Sequence, residues 1–189
     1  MSVISSRAAA KREAVMTAAR DVFRRYGFER TTMGDIAERA EMSRPALYLV
    51  FPTKLEIFNA VVETDSRAMD AAISEGIAER SGLKAKLTFA SEMLIVRNFE
   101  FVRLYPDARD MFTTGFACVE AAYGRFQGLI EGVIDAPLRQ SDLEIATTDV
   151  ARTFVAAIRG FPDLATDADD LRRLIEIQIV LLLAAIGRD

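Results

Sequence analysis

The stretch Thr31-Thr32-Met33-Gly34-Asp35-Ile36-Ala37-Glu38-Arg39-Ala40-Glu41-Met42-Ser43-Arg44-Pro45-Ala46-Leu47-Tyr48-Leu49-Val50-Phe51-Pro52-Thr53-Lys54 decides the fold of this chain. It reads as two short helices joined by a tight turn. Thr32 followed by Asp35 has the spacing of a capping box, and Met33, Ile36, Ala37 and Ala40 give the first helix its apolar face. Glu41-Met42 interrupts that pattern. Ser43 is placed to cap the second helix, and Arg44-Pro45 fall in its first turn, where proline removes no intrahelical hydrogen bond. Leu47, Val50 and Phe51 turn inward, Pro52 stops the helix, and Thr53 with Glu56 caps the next. Ala37 and Ala40 are small enough for two helices to cross closely. Ser43, Arg44, Pro45 and Ala46 keep the start of the second helix slender and polar. These are the proportions of a helix-turn-helix whose second helix enters a DNA major groove.

Upstream, Val15, Ala19, Val22, Phe23 and Tyr26 recur at helical spacing and predict a helix over Arg7–Tyr26, with Gly27 as its C-cap in the left-handed region. Downstream, a long helix runs from Thr53 to about Ile77. Further helices are expected over Leu83–Leu104, Pro106–Phe112 (a short piece), Phe116–Leu138, Thr148–Phe161 and Ala168–Gly187, with breaks at Ser81–Gly82, Tyr105–Pro106, Thr113–Gly115, Arg139–Asp142 and Pro162–Thr166. Strand-like alternation is missing throughout. The fold class is therefore all-α, with a three-helix helix-turn-helix domain over residues 1–53 and a helical ligand-binding and dimerisation domain over 54–189.

Composition narrows the function. The 189 residues carry a net charge of −4, yet residues 1–60 hold ten basic and seven acidic side chains, against 14 and 21 in the remainder. A basic end on an acidic body suits a protein that offers only that end to phosphates. Histidine is absent and cysteine occurs once, as Cys118, so neither imidazole acid–base chemistry nor a Cys/His metal site is available. No cofactor, no metal and no catalytic residue is expected. Acid pairs such as Asp107–Asp110 and Asp169–Asp170 read as helix-start charges. The N-terminus lacks the apolar run of a signal peptide, and the apolar run Ile179–Ile186 is too short to span a bilayer. The expectation is a cytoplasmic protein without a membrane partner.

The ordered residues Ala18-Ala19-Arg20-Asp21-Val22-Phe23, Tyr26-Gly27-Phe28, Thr31 to Ala40, Ser43, Ala46-Leu47-Tyr48, Phe51 and Lys54 resemble the signature of the TetR/AcrR family of bacterial regulators. The resemblance covers about residues 10–60. It implies that Thr32, Tyr48 and Lys54 hold phosphates, and that Ser43, Arg44, Pro45 and Ala46 face the major groove. Arg44 is the side chain able to contact a guanine edge in bidentate fashion. Arg7, Lys11 and Arg12 are candidates for a basic arm. Three positions depart from the family pattern: Glu41 stands where glycine is usual in the turn, Val50 where a phosphate-contacting histidine is common, and Pro45 where a small residue is frequent. The resemblance further implies a repressor of palindromic operator DNA.

The last helix is apolar almost all round, so a partner subunit is its natural cover. Phe154, Ile158, Leu174, Ile177 and Leu181 are the expected homodimer interface, in a four-helix bundle with their twofold copies. An apolar or amphipathic small-molecule effector is expected near Phe89, Met93, Phe112, Phe116 and Tyr123. Gly124, Gly128 and Gly132 line one helix face and suggest close packing, with a cavity wall as the alternative. The competing readings are a helical adaptor that binds only protein, and an enzyme without histidine.

Overall fold

The computed structural model describes residues 3–112 and 115–187, so Thr113 and Thr114 of the expected break lie outside the described residues. In chain order the helices are α1 (Val3–Arg30), α2 (Met33–Arg39), α3 (Arg44–Val50), α4 (Lys54–Ala78), α5 (Leu83–Ser91), α6 (Arg97–Leu104), α7 (Ala117–Arg139), α8 (Thr147–Gly160) and α9 (Ala168–Ala185). A π-helical turn at Glu92–Val96 joins α5 to α6, and 3-10 segments occupy Pro106–Phe112 and Phe161–Asp163. No strand occurs among the described residues.

The sequence places helix starts and stops well where the signal is local. Thr32 caps α2, Ser43 caps α3 with Pro45 in the first turn, and Asp167 caps α9. Two local expectations need correction. The expected end of α1 at Gly27 is a sharp kink, after which one further helical turn runs to Arg30. Gly27 has φ 72° and ψ 178°, an extended conformation open essentially to glycine alone rather than a left-handed helical cap. A Cβ there would collide with the carbonyl of Asp107. The span 83–104 is not one regular α-helix, because the wide turn at Glu92–Val96 adds an i→i−5 bond from Arg97 N–H to the Glu92 carbonyl.

The chain forms two compact units. The first comprises the chain up to Ser66 together with Leu104–Val119, and the second Arg67–Arg103 with the chain from Glu120 onward. The division therefore runs through α4 rather than before it. The excursion at 104–119 returns to the first unit because its 3-10 segment packs intimately on α1. The core of the first unit is built from Val15, Phe23, Ile36, Leu47, Phe51 and Phe58, all sealed from solvent. Phe28 and Phe116 complete an aromatic cluster with Phe23 and Phe58, at centroid separations of 4.7 to 6.0 Å.

The second unit packs Leu87, Ile95, Phe126, Ile130, Phe154 and Ile158 against Leu171, Ile175 and Ile179 of α9. Phe154 and Ile158 are thus enclosed by their own chain at 1% and 0% exposure. Side chains with no outward surface give a partner nothing to bury, so they leave the expected interface. Thr153, Ala156 and Gly160 occupy the outer side of α8 instead. On α9 the expected face survives in part: Ile177 is 49% and Leu181 60% exposed, and Leu174 is half-buried beside them. Among the described residues no single helix is long and apolar enough to cross a membrane; α3 and α4 pass such a test only together, bent by 56°.

The glycine line on α7 is open. Nothing lies within 4 Å of a Cβ added at Gly124, Gly128 or Gly132. Two substitutions should therefore move stability in opposite directions in chemical denaturation. Gly128→Ala should gain up to ~1 kcal/mol from helix propensity, and Gly27→Ala should lose about 2 kcal/mol or more from backbone strain and collision. A destabilised Gly128→Ala would show that a neighbour presses on that face.

Candidate nucleic-acid interface

The interface is built on a short turn, Gly27 to Thr31, that delivers the chain from α1 to α2. The backbone N–H groups of Phe28 and Glu29 donate to the two carboxylate oxygens of Asp110, at 2.9 and 2.8 Å. On the other side, Lys54 Nζ donates to the carbonyls of Phe28 and Glu29, at 2.6 and 3.2 Å, and sits 4.3 Å from the centroid of the Phe28 ring. Thr31 Oγ1 donates to the Gly27 carbonyl at 2.6 Å, and Arg30 pairs with Asp107 at 2.9 Å. The Phe28–Glu29 peptide group, with its N–H on the carboxylate and its carbonyl on the ammonium, is polarised from both ends.

Thr32 then opens α2 with a complete capping box. Its N–H and hydroxyl donate to Asp35 Oδ2, at 2.8 and 2.7 Å, and the Asp35 N–H donates to Thr32 Oγ1 at 3.2 Å. These bonds from Thr32, the hydroxyl's first, hold the Asp35 carboxyl below the ordinary carboxylate range, and Arg44 adds to the effect. The box therefore stabilises the module at neutral pH and is lost as acid protonates Asp35 below that range. Glu41 takes φ 53° in the turn between the helices, a left-handed position that favours glycine and costs a larger residue ~1 kcal/mol. The Met42 N–H closes the turn on the Ala37 carbonyl at 2.9 Å.

Helix α3 lies over this base with Leu47 and Phe51 buried beneath it. The Ala46 N–H donates to Ser43 Oγ at 3.3 Å. Ser43, Arg44, Pro45 and Tyr48 are exposed together on its outer side, and Ala46 is half-buried. Arg44 reaches back so that its guanidinium rests on Gly34, a contact that any side chain at 34 would crowd. Arg12 lies 4.0 Å above the Phe51 ring and so brings a positive charge to the C-terminal end of α3.

The sequence reading missed three residues here. Leu49 is 90% exposed on α3, one helical turn beyond Pro45, and the helical wheel alone would have marked it as outward. Asp110 and Asp107 were read as helix-start charges. Their partners lie about 80 residues away in the chain, so local spacing carries no sign of them. Lys54 is occupied differently from expectation: it fastens the turn before α2.

The five residues expected around an effector do not all come together in one unit. Phe112 and Phe116 lie in the first unit, where Phe116 meets Phe28 and Phe58 edge-on or tilted at 4.7 Å. Phe89, Met93 and Tyr123 lie in the second. There Arg80 covers the Phe89 ring at 3.6 Å and Arg159 the Tyr123 ring at 4.0 Å. Burial pushes the Tyr123 hydroxyl up, partly countered by Arg159. Two open clefts, of about 640 and 510 Å³, lie in the first unit, and none of the five residues lines either.

Comparison with known proteins agrees with this geometry. Residues 15–61 match the model of bacterial regulatory proteins of the tetR family. Over 55 residues the chain is 46% identical to the HTH-type transcriptional regulator YfiR of Bacillus subtilis (strain 168); the match covers 29% of this chain and 27% of that protein, about a quarter of the relative's length. Among solved structures, a transcriptional regulator from Cytophaga hutchinsonii superposes with a TM-score of 0.70 at 20% identity, covering 91% of this chain and 96% of that one. The regulator FadR from Bacillus subtilis, solved with stearoyl-CoA, gives 0.67 at 14% identity over 92% and 98%. SmeT, the repressor of the Stenotrophomonas maltophilia multidrug efflux pump SmeDEF, gives 0.64 at 22% identity over 92% and 89%. At these identities the structural likeness is one of fold.

Replacing Asp110 by Asn keeps the size but removes the charge and one acceptor. The variant should lose about 1–3 kcal/mol of stability, the range for hydrogen bonds to charged groups, and exchange the Phe28 and Glu29 amide protons faster. Unchanged exchange at those two amides would mean that this carboxylate does not hold the turn.

Proposed function

We propose that this chain, whose residues 15–61 match the model of bacterial regulatory proteins of the tetR family, is a ligand-responsive transcriptional repressor. It binds palindromic operator DNA as a homodimer and is released by a small apolar or amphipathic effector. The observation that carries this reading is the outer side of α3: a slender, polar and apolar surface raised on a capped and clamped base. In a major groove Arg44 swings off Gly34 onto a guanine edge, Ser43 and Ala46 admit close approach, and Pro45 with Leu49 offers apolar contact to thymine methyl groups. Thr32 and Tyr48 bond phosphates on either side. Lys54 acts through the turn it fastens.

One short helix reads few bases, so a second copy is required, with half-sites about one helical turn apart. The exposed Ile177 and Leu181 with the half-buried Leu174 on α9, together with the small exposed residues Thr153, Ala156 and Gly160 of α8, supply a surface for a twofold copy to cover. The effector belongs to the second unit, near Phe89, Met93 and Tyr123. The stearoyl-CoA in the Bacillus subtilis FadR structure supports an amphipathic ligand with a long hydrocarbon chain. The response reaches the first unit along the chain where it passes from one unit to the other, within α4 after Ser66 and at either end of the excursion at 104–119. A ligand shifts operator affinity only through its preference for one state of that chain.

Selection of bound sequences from random DNA tests the reading. A palindromic motif with two half-sites is expected. Arg44→Ala should lose about 1–3 kcal/mol on the selected sequence and little on a variant lacking the contacted guanine. Recovery of no sequence preference, with binding absent at low salt, would overturn the proposal. For assembly, light scattering should report a mass of two chains for the natural protein and one for Ile177→Asp/Leu181→Asp. A single-chain mass for the natural protein at micromolar concentration would refute the dimer.

A further inference from the structure

Among the described residues the fully buried polar side chains are Thr31 and Ser91. Thr31 is satisfied by the Gly27 carbonyl. Ser91, at 0% exposure in the second unit, has no hydrogen-bond partner for its Oγ. That is unusual for a helical serine, which can bond the carbonyl one turn back. Ser66 and Thr64 of this chain do so, to Val62 and Ala60 at 2.6 and 2.8 Å. Ser91 lies four residues after Leu87 and four before Ile95, in the middle of the buried stripe, so its hydroxyl belongs to an apolar interior.

A second feature falls at the same place. Ser91 is the last residue before the π turn at Glu92–Val96, and π turns within α-helices recur at functional sites because the extra residue opens the helical ladder. The outer side of this turn is pinned. Arg172 on α9 bonds Glu92 at the start of the wide turn and Glu100 beyond it, at 2.7 and 2.9 Å. The inner side carries Ser91, Ile95 and the half-buried Met93.

We infer that the Ser91 hydroxyl is the polar anchor of the effector site: the second unit takes up an uncharged, largely apolar molecule whose single hydroxyl or carbonyl group bonds Ser91 where the helix widens. This rests on the proposed role of the second unit in binding an effector. The ligand class follows from what the core offers. Among the described residues of the second unit, the side chains sealed from solvent include one neutral hydrogen-bonding group and no charge, so a carboxylate drawn to this depth would find no counter-ion. A hydrocarbon body meets Phe126, Ile130 and Phe154 favourably, and one neutral polar group satisfies Ser91.

Calorimetric titration of the full-length protein with octan-1-ol, 1-chlorooctane and octanoate tests this, using the natural chain and Ser91→Ala. The natural chain should bind octan-1-ol about five- to tenfold more tightly than 1-chlorooctane, the gain of one net hydrogen bond, and octanoate most weakly. In Ser91→Ala the ratio of alcohol to chloride should fall to near one, and the ligand-free variant should melt no lower than the natural chain. A ratio unchanged by the substitution, failure of octan-1-ol to bind the natural chain, or a lowered melting temperature of ligand-free Ser91→Ala would each overturn the assignment. Operator binding by both proteins, measured in parallel without probe, judges the regulator reading separately.

Discussion

Three consecutive peptide groups, from Gly27 to Arg30, carry the constraint on which the interface depends. Asp110 takes the amides and Lys54 the carbonyls. The turn between α1 and α2 is therefore set by charges from two distant parts of the chain, one at the start of α4 and one in the excursion at 104–119. Gly27 makes the arrangement possible, since its conformation and the nearness of the Asp107 carbonyl exclude a side chain. From this turn Thr32 opens α2, α2 sets the left-handed turn at Glu41, and that turn aims α3.

The same arrangement suits regulation. A base held only by apolar packing would shift little when a few residues move, whereas a carboxylate bridging two amides is either engaged or not. Residues 104–119 count with the first unit, although Arg103 and Glu120 on either side count with the second. The second unit has its own two-sided device, where Arg172 ties Glu92 and Glu100 together across the π turn. These ion pairs are half-exposed and contribute modestly to stability. Their consequence is positional: they fix the outer side of a wide helical turn whose inner side is apolar.

What the sequence revealed follows the range of the forces involved. Thr32, Ser43, Pro45 and the helix spans were legible because capping and helix periodicity act over three or four residues. The strained turn at Glu41 was legible only through the family resemblance, which places glycine there. Asp110 was not, since its partners at Phe28 and Glu29 are some 80 positions away. The inner and outer sides of α9 could not be told apart where leucine and isoleucine occupy both. On α8 the apolar Phe154 and Ile158 were assigned outward, although small residues were available for that side and large ones for the core. The π turn left no mark because one added residue in an apolar helical run changes no pattern that a wheel can register. Phe112 and Phe116 joined Phe89, Met93 and Tyr123 as one aromatic set in the sequence, and the division into units separates them.

Amide hydrogen exchange with and without the selected operator duplex tests the central claim most directly, because it reports on every peptide group at once. The account predicts strong added protection over residues 31–54, greatest in α3, with the Phe28 and Glu29 amides already slow before DNA is added. Protection confined to the second unit, with α3 exchanging as freely as in the unbound protein, would contradict it.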